Sequence, residues 1–342
     1  MNILITGGCG FVGSNLCLYL KDKIKNSKIY SLDNLFRKGS RLNLSRLKSY
    51  KITNYNIDIK DYKKINKLRK FDLIIDCCAE PAISMSKKDP DRLLNTNLIG
   101  TFNLLKKCVK DEAKIIFLST SRVYSINALR NLFKNNNFKS KIKIKYKIKE
   151  NFQTTSPKSL YGFTKLASEE LIKEFNYSND IEYIINRFGV ISGPWQFGKQ
   201  DQGYVSLWVN SFLKKKKLSY IGFNGYGNQV RDIIHIDDVC DIICKQIYNF
   251  AKTKNQIFNI GGGIKNSLSL KNLTKICKDI TKSDVKFTKI KNTSIYDVPY
   301  YVTDNSKIKK FYNWQPKKNV RSIVKDIYVW MTENKKLINK YF

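Results

Sequence analysis

Two groups of residues in this chain have types and spacings suited to chemistry. The first is Tyr161-Gly162-Phe163-Thr164-Lys165, a tyrosine and a lysine four positions apart. On a helix, positions i and i+4 share a face. An ammonium beside a phenol stabilises the phenolate, which lets Tyr161 act as acid and base near neutral pH. The pair is weak evidence alone, because 53 lysines and 20 tyrosines make it easy to meet by accident. A solvated helix pair is the plain alternative. Upstream, Leu118-Ser119-Thr120-Ser121 closes an apolar run with hydroxyls, and a hydroxyl there can hydrogen-bond a reacting oxygen.

The second group is Gly7-Gly8-Cys9-Gly10-Phe11-Val12-Gly13. Glycines at this spacing let the backbone turn tightly and approach a pyrophosphate, which then sits at the positive end of a helix. Asp33 ends the next apolar run, 20 positions after Gly13, where a ribose-binding carboxylate belongs. A carboxylate there repels a 2′-phosphate, so the spacing favours NAD over NADP. Arg37 and Lys38 follow closely and are able to accommodate that phosphate.

Both groups need strands and helices behind them. Residues 2–6, 28–33, 51–58, 73–78 and 114–118 read as strands. Residues 13–22, 60–69 and 91–110 read as helices between them. The alternation predicts an α/β fold with a doubly wound parallel sheet of the Rossmann type. Residues 125–157 are polar and basic and read as an insertion over one end of that sheet. A helix at 168–176 and a strand at 183–188 follow, then an irregular part. It holds helices at 205–213, 270–281 and 323–331, a strand at 218–222 and a turn at 224–228. The expected division is an NAD-binding domain, 1–188 plus about 231–260 and including the insertion. A smaller substrate-binding α/β region takes about 189–230 and 264–342.

Composition narrows the classes. A chain of 342 residues with 42% hydrophobic content has ample material for a core and is not a disordered polymer. No apolar run approaches the ~18 residues of a spanning helix. The start, MNILITGGCG, has no basic region, apolar core and cleavage site, so a cytoplasmic protein is expected. The net charge of +35 suggests a nucleic-acid or acidic-surface binder. Lysine, however, supplies 53 of the 63 cations and is spread along the chain, alongside abundant Asn, Ile, Tyr and Phe. That is the signature of an AT-rich coding sequence, and no specific nucleic-acid partner is expected. The densest basic run, 139–149, alternates Lys with Ile or Tyr and fits a strand with one solvated face. None of the eight cysteines forms a CxxC pair, and His235 is the single histidine. These counts predict no disulfide framework and no metal, and leave no base for a Ser-His-Asp mechanism beyond His235.

With these motifs the chain resembles the extended short-chain dehydrogenase/reductases, in their NAD-dependent nucleotide-sugar epimerase/dehydratase branch. The resemblance runs from Met1 to about Met331. It is carried by TGGCGFVGSNL at 6–16, Asp33-Asn34, Asp58-Ile59, NTNLIGTFNLL at 95–105 and STSRVY at 119–124. SLYGFTKLASE at 159–169, QVRDIIHIDDV at 229–239 and FNIGGG at 258–263 complete it. It implies that Gly7, Gly10, Phe11, Val12 and Gly13 hold the phosphates of NAD, and Asp33 with Asn34 the adenosine ribose. Asp58 and Ile59 match the adenine side, and Ala79 and Asn97 fall at cofactor-contact positions. Tyr161 matches the acid/base, Lys165 the ribose-binding lysine that lowers the tyrosine pKa, and Thr120 the hydroxyl helper. Arg231 matches a residue that binds substrate phosphate, and Pro81, Gln196 and Gln202 fall on the substrate side. The partner implied is a nucleotide sugar, with no membrane and a homo-oligomer, dimer or tetramer.

The branch narrows further. Dehydratases of this family carry an Asp-Glu pair after the catalytic threonine, whereas Ser121-Arg122 stands here. Elimination therefore lacks its acid and base, while epimerisation needs only reversible hydride transfer. The stretch 186–208 with the following GNQVRD is similar to enzymes that epimerise CDP-sugars at C2, through Gln196, Phe197, Gln202 and Gly203. Two features depart from the family: Ala79-Glu80-Pro81 replaces Ala-Ala or Ala-Gly, and Val298-Pro299-Tyr300 stands where a second phosphate-binding arginine is common. A UDP-sugar 4-epimerase, a net nucleotide-sugar oxidoreductase and a non-catalytic dinucleotide-binding regulator remain as alternatives.

Overall fold

The computed structural model describes every residue except 38, 136–137, 140–141, 143–145 and 200–201. The strands of the first half are β1 (Asn2–Thr6), β2 (Lys28–Leu32), β3 (Thr53–Tyr55), β4 (Leu73–Asp76), β5 (Lys114–Thr120) and β6 (Tyr183–Phe188). Then come β7 (Val190–Ser192), β8 (Leu218–Ile221), β9 (Val230–His235), β10 (Gln256–Ile260), β11 (Ser267–Ser269), β12 (Phe287–Ile290) and β13 (Tyr300–Tyr301). The chain divides into two compact units.

The first unit comprises 1–123, 159–187 and 240–258. Its sheet has the order β10-β6-β5-β4-β1-β2-β3. The β1–β2, β1–β4, β2–β3 and β4–β5 pairings are parallel. Strand β1 reads NILIT because both of its faces are covered, and Ile3, Leu4 and Ile5 are fully buried. After β1 the chain builds outward through β2 and β3, then returns to build the other way through β4, β5 and β6. The reversal between β1 and β4 is a topological switch point, where open α/β sheets gather ligands at the carboxyl ends of their strands.

The elements differ from the sequence reading at their ends. The third strand is 53–55, because Ile57 N–H turns back to the Tyr55 carbonyl. The long helix expected over 91–110 is three pieces: Pro90–Leu94, a π turn Asn95–Ile99, and Gly100–Asp111. The Asp89 side chain caps its start by accepting from Arg92 N. The helix Leu160–Asn179 is longer than expected, capped by the Ser159 hydroxyl on Gly162 N. Helix Ile236–Tyr248 and strand β9 were not read from the sequence.

The second unit comprises 124–158, 188–239 and 259–342. Its main sheet runs β11-β9-β13, with β7 also on β9, and β8 pairs with β12. Its core packs Val205, Val209 and Phe212 of helix Tyr204–Leu213 with Leu273, Cys277, Ile323 and Ile327. Two expected boundaries are corrected here. Residues 124–158 belong to this unit and not to the first. Ile148 N–H donates to Val302 O at 2.8 Å, and Glu150 accepts from Asn259 N at 2.8 Å. Residues 231–239 also belong here, because β9 is the central strand of the second sheet. Residues 140–141 and 143–145 of the basic run lie outside the described residues, and among those described Ile148 forms a bridge, to Thr303.

One buried contact fixes helix Leu160–Asn179 to the first sheet. Glu169, fully buried, accepts from the Ser119 hydroxyl of β5 and from Arg187 Nε and NH2 of β6, at 2.6 Å for the latter. Removing one member of such a pair strands a buried charge. Glu169→Ala is expected to cost about 3–5 kcal/mol, measured by urea unfolding; a loss under about 1 kcal/mol would mean that the pair does not hold the helix.

Candidate active site

The glycine turn follows β1 as the spacing predicted. Gly7 sits at φ +59°, and a Cβ on Gly13 would come within 2.2 Å of the Gly7 carbonyl oxygen. Helix Phe11–Lys23 begins at Gly10 with no side-chain cap. Its first-turn N–H groups thus face an open position suited to an anion. Asp33 accepts from Cys9 N at 3.1 Å and from Leu35 N at 2.8 Å. Burial pushes its carboxyl pKa up, while those bonds and the nearby Arg37 charge pull it down. Asn34 Nδ2 donates to Asp58 at 2.9 Å, so the two predicted adenosine-side residues are joined. Ile59 is buried, packed where a Cβ on Gly100 would touch it, so its side chain serves the core. Burial pushes the Cys9 thiol up to about 12, leaving it inert within the turn.

Beyond β4, Ala79 and Pro81 are half-buried and Glu80 between them is buried. Asn97, turned inward by the π turn, clamps Glu80: its Oδ1 accepts from Glu80 N at 2.7 Å and its Nδ2 donates to Glu80 O at 3.2 Å. The same Nδ2 reaches Thr164 Oγ1 at 3.2 Å. The Glu80 carboxylate pairs with Arg37 at 2.8 Å and Arg92 at 2.9 Å. The sequence flagged Glu80 as a departure but offered no sign of these partners.

The catalytic candidates converge at the end of β5. Thr120 Oγ1 accepts from Arg122 N at 3.2 Å and shares a hydrogen bond with the Tyr161 hydroxyl. Gly162 makes this approach possible, since a Cβ there would lie 2.2 Å from the Arg122 carbonyl oxygen. Its role is legible only once the turn at Ser121–Val123 is seen against the helix. Desolvation pushes the Tyr161 pKa up, and the Thr120 bond with the Arg122 and Arg37 charges opposes that. The charges that oppose desolvation at the phenol are those of Arg122 and Arg37. Lys165 is buried, with Nζ 4.1 Å from the Phe117 ring centroid and Asp76 as its chief counter-charge. Burial lowers its pKa. Its ammonium finds no hydrogen-bond acceptor among the described residues, an arrangement that fits a ligand hydroxyl. The glycine cradle, the Asp33 carboxylate and this lysine together fit a dinucleotide.

The second unit holds the expected substrate-side residues. Arg231 donates to Asp297 at 2.8 Å and to Val298 O at 2.6 Å. Arg130, which the sequence reading missed, grips the same loop through Asp297 O at 2.8 Å and Ser294 O at 2.9 Å. Sequence distance hid it, since 167 positions separate Arg130 from Asp297. Gln196 is committed inside its own unit, accepting from Ser192 and Ser206 hydroxyls and donating to Ile191 O. It braces the loop rather than presenting an open amide. Gln202 pairs with Lys199 through backbone bonds. His235 is buried, with Nδ1 accepting from Asp237 N at 3.0 Å and Nε2 3.5 Å from Asp326.

A glycine turn and ribose carboxylate at the switch point of an open sheet, with a Tyr-Lys pair beside a strand-end hydroxyl, define a dinucleotide-dependent enzyme of the Rossmann type. Comparison with known proteins carries this further. The model of the NAD dependent epimerase/dehydratase family matches residues 3–261, and the chain belongs to that family, with NAD as its cofactor. It is 30% identical to a CDP-paratose 2-epimerase of Salmonella typhi, over 96% of this chain and 99% of that protein. It is 29% identical to a putative UDP-glucose 4-epimerase of Methanocaldococcus jannaschii, over 97% and 99%. Among solved structures it is similar to the UDP-glucose 4-epimerase of Thermotoga maritima with UDP-glucose, with a TM-score of 0.80 and 25% identity over 98% of this chain and all of that one. No helix among the described residues is long and apolar enough to cross a membrane.

The raised Tyr161 pKa means that the phenol holds its proton at neutral pH in the NAD-free protein. An ultraviolet difference titration of wild type against Tyr161→Phe is expected to lose one ionisation above the ordinary tyrosine value of about 10. Loss of an ionisation near neutrality would contradict the assignment.

Proposed function

We propose that this chain inverts C2 of a CDP-activated sugar, the reaction named for its Salmonella typhi relative. The observation that carries the proposal is the close packing of the helix bearing Tyr161 and the buried Lys165 against the strand end that bears Thr120, with Ser121-Arg122 in place of an acidic pair. One tyrosine suffices for oxidation and re-reduction at a single carbon, while elimination needs further acid and base groups. Full-length similarity to the 2-epimerase supports the choice of carbon and base.

Tyr161, as the phenolate that the cofactor-loaded site would have to stabilise, removes the proton from the sugar C2 hydroxyl as the carbonyl forms, and Thr120 orients that oxygen by hydrogen bonding. NAD would supply reversible hydride transfer at C2, held by the glycine turn, Asp33 and Lys165. Between the two transfers the sugar presents its opposite face, and Tyr161 gives the proton back to the oxygen. Lys165 is assigned to the cofactor ribose, as its buried, acceptor-free ammonium suggests. Arg231 and Arg130 supply positive charge for the diphosphate, so affinity resides away from the sugar and leaves it free to turn. Pro81 and Gln202 are assigned to the substrate side, with Gln196 shaping that loop from behind. The eight free cysteines fit a reducing, cytoplasmic setting.

A UDP-sugar 4-epimerase is the second reading, favoured by full-length similarity to the Methanocaldococcus jannaschii and Thermotoga maritima proteins. Proton NMR of the purified protein with CDP-paratose, UDP-glucose and UDP-galactose in separate tubes decides. Inversion at C2 of the CDP sugar alone is expected, and inversion at C4 of a UDP sugar would replace the proposal. Tyr161→Phe is expected to lower kcat by about 100-fold or more while keeping NAD bound.

A further inference from the structure

The Glu80 cluster is not used by the mechanism above, and its position in the sheet gives it a purpose. Strand β1 lies between β2 and β4. Arg37 stands five residues beyond β2 and Glu80 four beyond β4. The glycine turn leaves the end of β1 between them. The Arg37–Glu80 ion pair, at 2.8 Å, therefore ties together the two loops that flank the cofactor cradle. We propose that Glu80 is a positioning residue that latches the loop 34–37 across the dinucleotide site and sets how long NAD stays bound.

The latch has more than one fastening. The Phe36 ring, 64% exposed, lies under the Arg92 guanidinium at 3.8 Å, and Arg92 shares the Glu80 carboxylate. The loop is thus held by an ion pair and by a cation–π contact, both ending on the same buried acid. Its other end is anchored by Asp33, which accepts from Leu35 N, and by Asn34 on Asp58. The Glu80 backbone is held in place, because Asn97 binds both its N–H and its carbonyl. The more exposed partner is Arg37, whose side chain is 42% exposed while that of Glu80 is 7% exposed. An Arg swinging from a fixed acid opens one side of the cradle without disturbing the sheet. The pairing also engages the arginine that would otherwise serve a 2′-phosphate. A cofactor that is restored in each turnover has no need to leave, so a slow latch costs an epimerase no rate. That last point rests on the proposed function, whereas the following test contains no sugar and does not.

Wild type, Glu80→Gln, Arg37→Gln and Arg37→Lys are loaded with NAD, and release is followed by trapping free NAD with excess alcohol dehydrogenase and ethanol at 340 nm. Glu80→Gln and Arg37→Gln are expected to release NAD about tenfold faster, and Arg37→Lys close to the wild-type rate. Raising the ionic strength is expected to speed release from wild type much more than from Arg37→Gln, because the pair is half in solvent. Circular dichroism and thermal midpoints of the NAD-free variants separate a lost latch from a lost fold. Should Glu80→Gln fail to fold, the two Arg37 variants carry the test, since that side chain is the exposed one. Equal release rates in wild type and a folded Arg37→Gln, whether slow or fast, overturn the proposal.

Discussion

Glu169 lies fully buried and takes its partners from two neighbouring strands, the Ser119 hydroxyl of β5 and the Arg187 guanidinium of β6. Removing a carboxylate and a guanidinium from water costs several kcal/mol each. Only a geometry that satisfies them together offsets that cost, so the helix bearing Glu169 has one seat on the sheet. Lys165 is one turn and Tyr161 two turns upstream on the same face. A slide of one residue along the helix would part Tyr161 from Thr120. The chemistry at the end of β5 thus depends on a contact that no reacting atom touches.

The same end of the sheet concentrates groups that suit anions. The uncapped start of helix Phe11–Lys23, the buried Lys165 and Arg37 all lie in the first unit, near the switch point between β1 and β4 or around it. Carboxylates temper them selectively. Asp33 shapes the turn after β2, Asp76 faces Lys165, and Glu80 holds two arginines. In the second unit Arg130 and Arg231 converge on one loop from distant parts of the chain. The overall charge of +35 is therefore a poor guide to partners, while the arrangement of a few arginines is informative.

Much was legible along the chain. Local patterns carry local information: the GxxGxxG turn needs only the strand before it and the helix after it, and both formed where NILIT and the leucine spacing put them. Thr120, Tyr161 and Lys165 were readable as types at a spacing. Strand β9 was not, because its partners β7, β11 and β13 lie far off in sequence and its burial comes from them. The segment 124–158 was assigned to the wrong unit for the same reason, since its contacts are with residues near 259 and 302. The π turn that aims Asn97 is a one-residue widening of a helix, which hydrophobic periodicity does not register.

By itself, then, the sequence determined the strand–turn–helix cradle, the candidate carboxylate at Asp33, the candidate Tyr161–Lys165 pair and membership of the family. These depend on residues close in the chain, whose backbone freedom and spacing act before any packing. Tertiary structure decided which charges act on which groups. It set Arg122 and Arg37 against the Tyr161 phenol, and it joined Glu80 to Arg37 and Arg92. It also brought Arg130 to the Arg231 loop and locked Glu169 between two strands. Coulomb interactions and desolvation fall off over a few ångströms, and no spacing in a linear chain specifies distances of that size between residues 12 to 167 positions apart.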